Sequence, residues 1–430
     1  MDCFRLLAAG FALALCLGGR ADEFPEPGAL PVQTNLPNPL IGSSGRSVRT
    51  TNEWASLRRP ELKSLFQHYM YGTLPPQIAP VRATVTTECP DFLGGKATLR
   101  LLTLATGPKG APEIHLMLVL PNQRRSPAPV FLGLNFCGNQ AVTADPRIPL
   151  ATGWLSPLCK GITNNIATES SRNAGAADWP GDEWPIESII DHGCALATFC
   201  SCDIDSDRPD ISDGLYKFLA HGDQAKNPGP DRGTIAAWAW GFMRCVDYLV
   251  SDPAIDPARI AALGHSRNGK TALLAAAFDD RIALAIVHQA GIGGSAPSRG
   301  RTGEPLKDIN ANFPHWFNAE FKKFIGCPEK LLFDQNCLVA LCAPRPVLFS
   351  NGEADTWANP RGQFDVLVAA NPAYELYGVT GMDAAAPPAS GVLAGKRLGY
   401  YIRPGGHSMT PGDWKVFLEF ADRQWGAPAK

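Results

Sequence analysis

The chain has 430 residues, of which 45% are hydrophobic and 19% are charged, so intrinsic disorder is excluded and a large core can form. With a formal net charge of −2, the protein lacks the positive electrostatic field that nucleic-acid binding needs, and we expect no nucleic-acid partner.

The first segment of the chain is typical of a secretory signal peptide. Arg5 precedes an apolar run over residues 6–17, and small residues up to Ala21 lead into a polar, proline-rich stretch. The run is too short to cross a bilayer, and no later segment is apolar enough to form a membrane span. We predict a signal peptide over residues 1–21 and export to the periplasm or the medium. Residues 22–430 are expected to form a single domain, and the protein is expected to be a monomer.

Beyond this lead-in, apolar strands alternate with helical segments, which is typical of an α/β protein. Leu99–Leu104 and Ile114–Leu120 are predicted to pair in antiparallel fashion. Later, short and continuously apolar segments predict strands that are buried on both faces. They are Val130–Asn135, Ala195–Phe199, Ile260–Leu263, Ile282–Val287, Val347–Ser350 and Gly399–Ile402. A helix with a core-facing aromatic stripe is predicted over Thr234–Val250, and residues 141–187 are expected to form a surface excursion near the site.

The cysteines and a run of aspartates are candidates for structural or metal-binding groups. Ten of the twelve cysteines follow the predicted signal peptide and can form disulfides in an oxidising compartment, and Cys327 with Cys337 is the predicted local pair. Cysteine spacings typical of zinc are absent. Aspartates recur over residues 203–213, but Arg208 and Gly214 occupy the positions where a calcium loop needs glycine and glutamate. We therefore expect no metal and no cofactor, and interpret this segment as a solvated or capping loop.

Residues 259–270 read as a strand that runs through Gly264-His265-Ser266 directly into a helix. This pattern is typical of a nucleophile elbow, in which small residues allow a sharp turn that exposes the serine hydroxyl. The usual second glycine is replaced by Asn268, a residue type that tolerates unusual backbone angles, and Gly269 follows. Ser266 is therefore the predicted nucleophile. His265, its neighbour, points the other way and is interpreted as structural.

A serine nucleophile needs an imidazole to take its proton and a carboxylate to orient that imidazole. In the α/β-hydrolase order of Ser, acid and His, only His407 of the eight histidines follows the last strand candidates. Two carboxylates follow the strand before it, namely Asp355, which is preferred, and Glu353. Glu304, in an earlier loop, is a third candidate, better interpreted as a substrate contact or a supporting acid.

Charge on the reacting carbonyl oxygen requires hydrogen-bond donors. The backbone amide of Arg267 follows the nucleophile, and its guanidinium can add a charged donor. A second wall is expected from residues 135–139. Lys270 lies one helical turn after Ser266 and hence on the same face of the helix. Its side chain is expected either near the pocket or in solvent.

The heptapeptide at residues 264–270 resembles the Gly-Cys-Ser-Arg-Asn-Gly-Lys signature of the glucuronoyl esterases, carbohydrate esterases that separate lignin from glucuronoxylan. Residues 69–76, 233–241, 291–294 and 405–407 also resemble segments of that family. Two positions depart from the fungal pattern. His265 stands where fungal members have a disulfide-bonded cysteine, and Gln289 stands where they have the catalytic glutamate. The acid must then come from elsewhere, and Asp355 resembles its placement in bacterial members.

The resemblance implies an α/β-hydrolase fold, a three-layer α/β/α sandwich, and no cofactor or metal. It implies that Lys270 contacts glucuronate hydroxyls, that Trp357 lines the sugar pocket, and that Glu304 hydrogen-bonds the sugar. The expected substrates are glucuronoxylan and lignin–carbohydrate esters, bound in an open, shallow site. Alternatives are an acetylxylan or broader carboxylic esterase on the same triad, and a catalytically silent carbohydrate-binding protein.

Overall fold

The computed structural model describes residues 24–174, 182–210, 212–220, 231–300 and 302–428. The predicted signal peptide over residues 1–21 lies outside these ranges. Within them, no helix is both long enough and apolar enough to cross a membrane.

A ten-stranded, mostly parallel sheet forms the centre of the molecule, in the order β1-β2-β3-β7-β4-β8-β9-β10-β12-β11. Its strands are β1 Arg82–Phe92, β2 Ala97–Ala105, β3 Glu113–Pro121, β4 Ala128–Asn135, β7 Ala195–Cys200, β8 Ile255–His265, β9 Leu284–His288, β10 Val347–Gly352, β11 Ala394–Gly395 and β12 Leu398–Arg403. Neighbours from β7 through β12 in this order pair in parallel. The remaining pairs are antiparallel. A separate hairpin pairs β5 (Ile162–Thr163) with β6 (Ile166–Ala167).

Helices cover both faces of this sheet. They are α1 Thr51–Glu53, α2 Arg59–Phe66, α3 Ile186–His192, α4 Gly214–Leu219, α5 Thr234–Leu249, α6 Arg267–Phe278, α7 Leu306–Asn312, α8 Ala319–Lys322, α9 Gln335–Ala340, α10 Pro360–Leu376 and α11 Pro411–Trp425. Alternate residues of β8 enter two different hydrophobic clusters. Ala262 packs with α5, α6, α9 and α10, whereas Ala261 and Leu263 pack with α3 and α11. The three-layer α/β/α prediction is therefore confirmed.

Most predicted strands are present, with shifts at their ends. The antiparallel pairing of β2 with β3 is confirmed, and Leu104 lies opposite Ile114. Strand β9 begins at Leu284 rather than at Ile282. Strand β1 was not predicted, because it is an edge strand whose side chains are mostly exposed and carry little apolar pattern.

The predicted disulfide between Cys327 and Cys337 is wrong. Cys337 lies on α9 and is buried beside the carbonyl of Pro37, whereas Cys327 is partly exposed in a loop, and both are free thiols. Disulfides instead join Cys137 to Cys159 and Cys200 to Cys202. The Cys137–Cys159 disulfide closes a loop of the expected surface excursion. The spacing of the cysteines along the sequence did not indicate this pairing.

The turn from β8 into α6 sets Ser266 at φ 57° and ψ −126°, a conformation that is rare outside glycine. Its backbone N–H donates to the carbonyl of His288 at the end of β9, over 2.8 Å. Asn268 lies inside α6, so its tolerance of unusual angles is not used. Its side chain instead donates to the carbonyl of Leu134 at 3.1 Å. The two arms of the turn meet at Gly264, where an added Cβ would lie 2.1 Å from the carbonyl oxygen of Asn268.

We expect Gly264→Ala to destabilise the protein by about 3 kcal/mol or more, because the clash is with backbone and cannot be relieved by a side-chain rotation. Thermal unfolding measures the effect. Gly28→Ala is the matched control, because no atom lies within 4 Å of the added Cβ there. An unchanged melting temperature for Gly264→Ala would contradict this account of the turn.

Candidate functional site

The carboxyl ends of four neighbouring parallel strands meet around one pocket of about 360 Å³. Ser266 follows β8, Gln289 follows β9, Asp355 follows β10 and His407 follows β12. This edge of an open α/β sheet is where ligands usually bind. The pocket contains every residue predicted for the site, namely Ser266, Arg267, Lys270, Glu304, Asp355, Trp357 and His407.

His407 and Asp355 form a hydrogen-bonded pair. Nδ1 of His407 lies 2.7 Å from Oδ2 of Asp355, and the Asp355 side chain is only 5% exposed. Asp355 also accepts a hydrogen bond from the backbone of Ala358, which fixes the carboxylate. Glu353, the alternative acid, is exposed to solvent, and its backbone N–H pairs with Arg403. The geometry can therefore orient the imidazole through Asp355, and His407 lines the same pocket as Ser266.

Arg267 is held by a carboxylate that the sequence did not assign to the site. Its Nη1 forms an ion pair with Oδ2 of Asp207, and Oδ1 of Asp207 accepts from His315 Nε2 and Trp316 Nε1, each at 2.8 Å. The guanidinium lies 4.8 Å from the Trp316 ring centroid and 5.2 Å from that of Phe313. The Arg267 charge, followed by hydrogen bonds from His315 and Trp316, lowers the pKa of Asp207 despite its burial.

The interpretation of residues 203–213 as a solvated or capping loop is thus wrong for Asp207. It is also wrong for Asp205, which is 5% exposed and accepts from the Thr234 hydroxyl at 3.1 Å. Burial raises the pKa of Asp205 to about 8. The signal that could have identified Asp207 is the run Phe313-Pro-His-Trp-Phe, because the imidazole and indole N–H groups of such an apolar run need a hydrogen-bond acceptor when they are buried.

The expected second wall from residues 135–139 is also wrong. In the described part of the chain, none of these residues lines the pocket with Ser266. Phe136 instead lines a neighbouring pocket together with Arg267, and its ring centroid lies 5.7 Å from the Arg267 guanidinium. The rest of the pocket wall comes from residues that the sequence did not single out for it. They are Gln289, Ala290, Gly291, Asn312, Phe313, Trp316 and Ala358.

Lys270 is an almost fully buried cation in this wall, at 4% exposure. Its Nζ donates to the carbonyl oxygens of Ala290 and Ile292, each at 2.5 Å. Burial lowers the pKa of Lys270 to about 8, partly opposed by the charge of Glu304. Burial raises the pKa of Glu304, and the charge of Lys270 partly opposes this rise. The backbone N–H of Glu304 donates to the carbonyl of Trp357. The Trp357 ring is 53% exposed at the pocket rim.

Behind the site, His265 belongs to a buried polar chain. Its Nδ1 lies 2.6 Å from Oδ1 of Asp182, and its Nε2 lies 3.0 Å from Oε1 of Gln289. Its ring centroid is 4.5 Å from that of His407. Burial raises the pKa of Asp182 to about 8 and lowers that of His265 well below its ordinary value. The interpretation of His265 as a structural residue stays a prediction.

Comparison with known proteins gives one consistent result. A family model described as glucuronyl esterase of fungi matches residues 183–378. A carbohydrate esterase from an unidentified prokaryote is 40% identical over 389 residues, covering 90% of this chain and 89% of the relative. The structure of a promiscuous CE15 esterase from a marine bacterial metagenome superimposes with a TM-score of 0.83 at 40% identity, over 93% of this chain and 98% of that one.

The chain belongs to the glucuronoyl esterase family. The structure of a glucuronoyl esterase from Solibacter usitatus agrees, with a TM-score of 0.84 at 35% identity over 93% of this chain and all of that one. A 4-O-methyl-glucuronoyl methylesterase from Phanerochaete carnosa is 27% identical over 80% of this chain and 72% of its own length. The predicted family and α/β-hydrolase fold are confirmed, and the chain is a carboxylic ester hydrolase.

The buried ammonium of this glucuronoyl esterase predicts a pH-dependent stability. Below pH 8 Lys270 is charged in both the folded and unfolded states, and the folded state carries the full cost of burying the charge. Between the folded pKa of about 8 and the ordinary value of 10.5, folding releases a proton. Stability therefore rises with pH in this window, by up to about 3 kcal/mol for this group.

We expect the unfolding free energy of the wild type to rise relative to Lys270→Met as pH increases through this window. Urea unfolding of both proteins below the folded pKa and near the unfolded pKa measures this difference, in which the titration of other groups cancels. A difference that does not change with pH would contradict a buried, charged Lys270.

Proposed function

We propose that this protein is an exported serine esterase that hydrolyses esters between (4-O-methyl-)glucuronic acid of glucuronoxylan and lignin alcohols. The observation that carries the proposal is a single pocket in which Ser266, His407 and Asp355 share the space with the buried ammonium of Lys270 and the half-buried carboxyl group of Glu304. The pocket volume lies in the range usual for small-molecule sites. Similarity to the 4-O-methyl-glucuronoyl methylesterase of Phanerochaete carnosa supports the same substrate class.

In the proposed reaction, Ser266 Oγ attacks the ester carbonyl while His407 takes its proton. Asp355 stabilises the imidazolium through the 2.7 Å contact to Nδ1. The tetrahedral intermediate collapses as His407 gives the proton to the leaving alcohol, which leaves a uronyl ester on Ser266. Water, deprotonated by His407, then attacks this ester, and His407 returns the proton to Ser266 Oγ as the bond to the serine breaks, which releases the uronic acid and free serine. Each of these steps uses side chains of this chain.

Arg267 is the proposed source of stabilisation for the oxyanion. Its backbone N–H opens α6, where the first amide groups of a helix have no intrahelical acceptor. Its Nε is buried and has no acceptor among the residues that the structure describes. Because Asp207 fixes Nη1 and the guanidinium lies against the stacked rings of Phe313 and Trp316, the charge is preorganised and little reorganisation accompanies the reaction.

Lys270 is proposed to recognise hydroxyl groups of the sugar. An ammonium has three donors, and backbone carbonyls of Ala290 and Ile292 take two of them. The third can donate to a hydroxyl in the pocket. Glu304, on the same wall, can accept from a neighbouring hydroxyl, and Trp357 offers an apolar face to the ring at the open rim. The open side leaves room for a bulky alcohol.

Residues 22–430 are proposed to act as one catalytic domain and as a monomer, after export to the periplasm or the medium. The alternative is an acetylxylan or broader carboxylic esterase on the same triad. The 40%-identical relative from the marine metagenome is a promiscuous esterase, which favours this activity as a second candidate. That activity would not need Lys270 or Glu304.

Asp355→Asn is expected to lower kcat by roughly 10⁴-fold, because an amide cannot hold the imidazole in the required tautomer. Glu353→Gln, the same change two residues away on an exposed side chain, is expected to leave kcat at the wild-type value. Steady-state kinetics of the two variants on one ester substrate decides between the two acids. The reverse ranking would assign the acid to Glu353.

Hydrolysis of benzyl glucuronate, measured beside an acetyl ester, tests the substrate class. We expect glucuronate turnover that disappears in Ser266→Ala and weakens in Lys270→Ala, because the serine supplies the nucleophile and the lysine binds the sugar. Turnover of the acetyl ester alone, unaffected by Lys270→Ala, would retain the serine mechanism and refute the uronate assignment.

A further inference from the structure

Gln289 contacts the backbone on both sides of His407. Its Nε2 donates to the carbonyl of Gly406 at 2.8 Å, and its Oε1 accepts from the N–H of Ser408 at 2.9 Å. These two contacts are made by one side-chain amide that is 1% exposed. They reach the peptide groups that immediately precede and follow the imidazole, so a displacement of the amide moves His407 with it.

The backbone of Gln289 is itself constrained. Its φ is 49°, a value that residues other than glycine rarely adopt. The backbone N–H donates to the carbonyl of Ser350 at 2.9 Å, which ties the residue to β10. Strain of this kind persists only where the surroundings enforce it. Here it aims the side chain from the end of β9 toward the segment 404–408.

His265 and Asp182 fix the amide from the other side. The two contacts to the 404–408 segment assign which end of the Gln289 amide is nitrogen and which is oxygen. Nε2 of His265, 3.0 Å from that oxygen, must therefore carry a proton and donate. In a neutral ring Nδ1 is then an acceptor, and Asp182, 2.6 Å away, supplies a hydroxyl donor. Burial acts in the same direction, because it raises the pKa of Asp182 and lowers that of His265.

We propose that Gln289 is a positioning residue for the catalytic histidine: its side-chain amide holds the two peptide groups that flank His407, and the buried pair of His265 and a neutral Asp182 keeps that amide in its orientation. The inference rests on the proposed function through the role of His407 as the base. Asp355 orients the imidazole ring, and Gln289 locates the backbone from which the ring extends.

Other groups also anchor this segment on both sides of His407. Before the histidine, the carbonyl oxygen of Gly405 accepts from the backbone N–H of Ala354 at 2.9 Å. After it, the carbonyl oxygen of Ser408 accepts from His288 Nε2 at 2.8 Å and from Arg403 Nη2 at 2.6 Å. Loss of Gln289 therefore leaves the segment attached at Gly405 and Ser408 and frees the Gly406 carbonyl and the Ser408 N–H, which belong to the two peptide groups next to the histidine. We expect a misplaced base in a folded protein rather than global unfolding.

Gln289→Met tests the proposal, because methionine keeps the length and burial of the side chain and removes both hydrogen bonds to the segment. A fluorophosphonate that reacts with Ser266 provides two readouts that do not depend on any sugar: the end point counts competent serines, and the rate reports their activation. We expect a full site count, with the phosphonylation rate and kcat on benzyl glucuronate lowered by about 10²-fold and KM unchanged.

Gln335→Met is the matched control. Gln335 is also fully buried, but its contacts are with Tyr71 and with the sulfur of Met70, away from residues 404–408. It is expected to lose stability and to keep the wild-type rate per competent serine. A wild-type rate for Gln289→Met with a full site count would overturn the proposal.

Substitutions of Asp182 test the second half of the chain and remain informative if Gln289→Met does not fold. Asp182→Asn presents an N–H to Nδ1 of His265, as the neutral acid does, and should keep the phosphonylation rate. Asp182→Ala leaves Nδ1 unpaired and should lower it. Equal losses in both variants would overturn the proposed arrangement.

Absence of phosphonylation in the wild type would instead refute the serine mechanism itself, and phosphonylation without uronate turnover would refute only the substrate assignment.

Discussion

The turn between β8 and α6 is the constraint on which the rest of the site depends. Ser266 adopts its left-handed backbone because Gly264 allows the helix backbone to approach within a distance that no side chain would tolerate, and because the Ser266 amide is bonded to the end of β9. The same geometry sets the start of α6. Arg267 and Lys270 are therefore presented on the first turn of that helix, next to Ser266, by the fold of the strand–helix unit rather than by separate loops.

Buried charge, held by specific partners, is the second organising property of the site. Arg267 is matched by Asp207, which is in turn matched by His315 and Trp316, and Lys270 is matched by backbone carbonyls and by the nearby Glu304. Each cation is thus removed from water without being left unpaired, which would cost several kcal/mol. Charges that are already desolvated and fixed interact more strongly with a developing negative charge than mobile ones in water do.

Local patterns in the sequence were sufficient to predict the strands of the sheet centre, the elbow and the placement of Asp355 and His407 beside it, because each depends on short-range periodicity or on the fixed order of strand ends. The placement of Trp357 in the pocket came from the family resemblance. Contacts between distant segments were not predictable in this way. The pairing of Asp207 with Arg267 joins residues 60 positions apart, and the Cys137–Cys159 disulfide depends on how the surface excursion folds back. The edge strand β1 was missed because its exposed faces carry no apolar alternation.

The contacts that locate His407 and the contact that orients it come from different strand ends. The peptide groups around the histidine are held from the end of β9, whereas its carboxylate partner follows β10. Position and charge are therefore separable properties of this site. During divergence, the acid can be exchanged or relocated while the imidazole keeps its place, so that a family can vary the tuning of its base without rebuilding the backbone that carries it. The proposed triad, organised in this way, would tolerate stepwise evolutionary change in its acid.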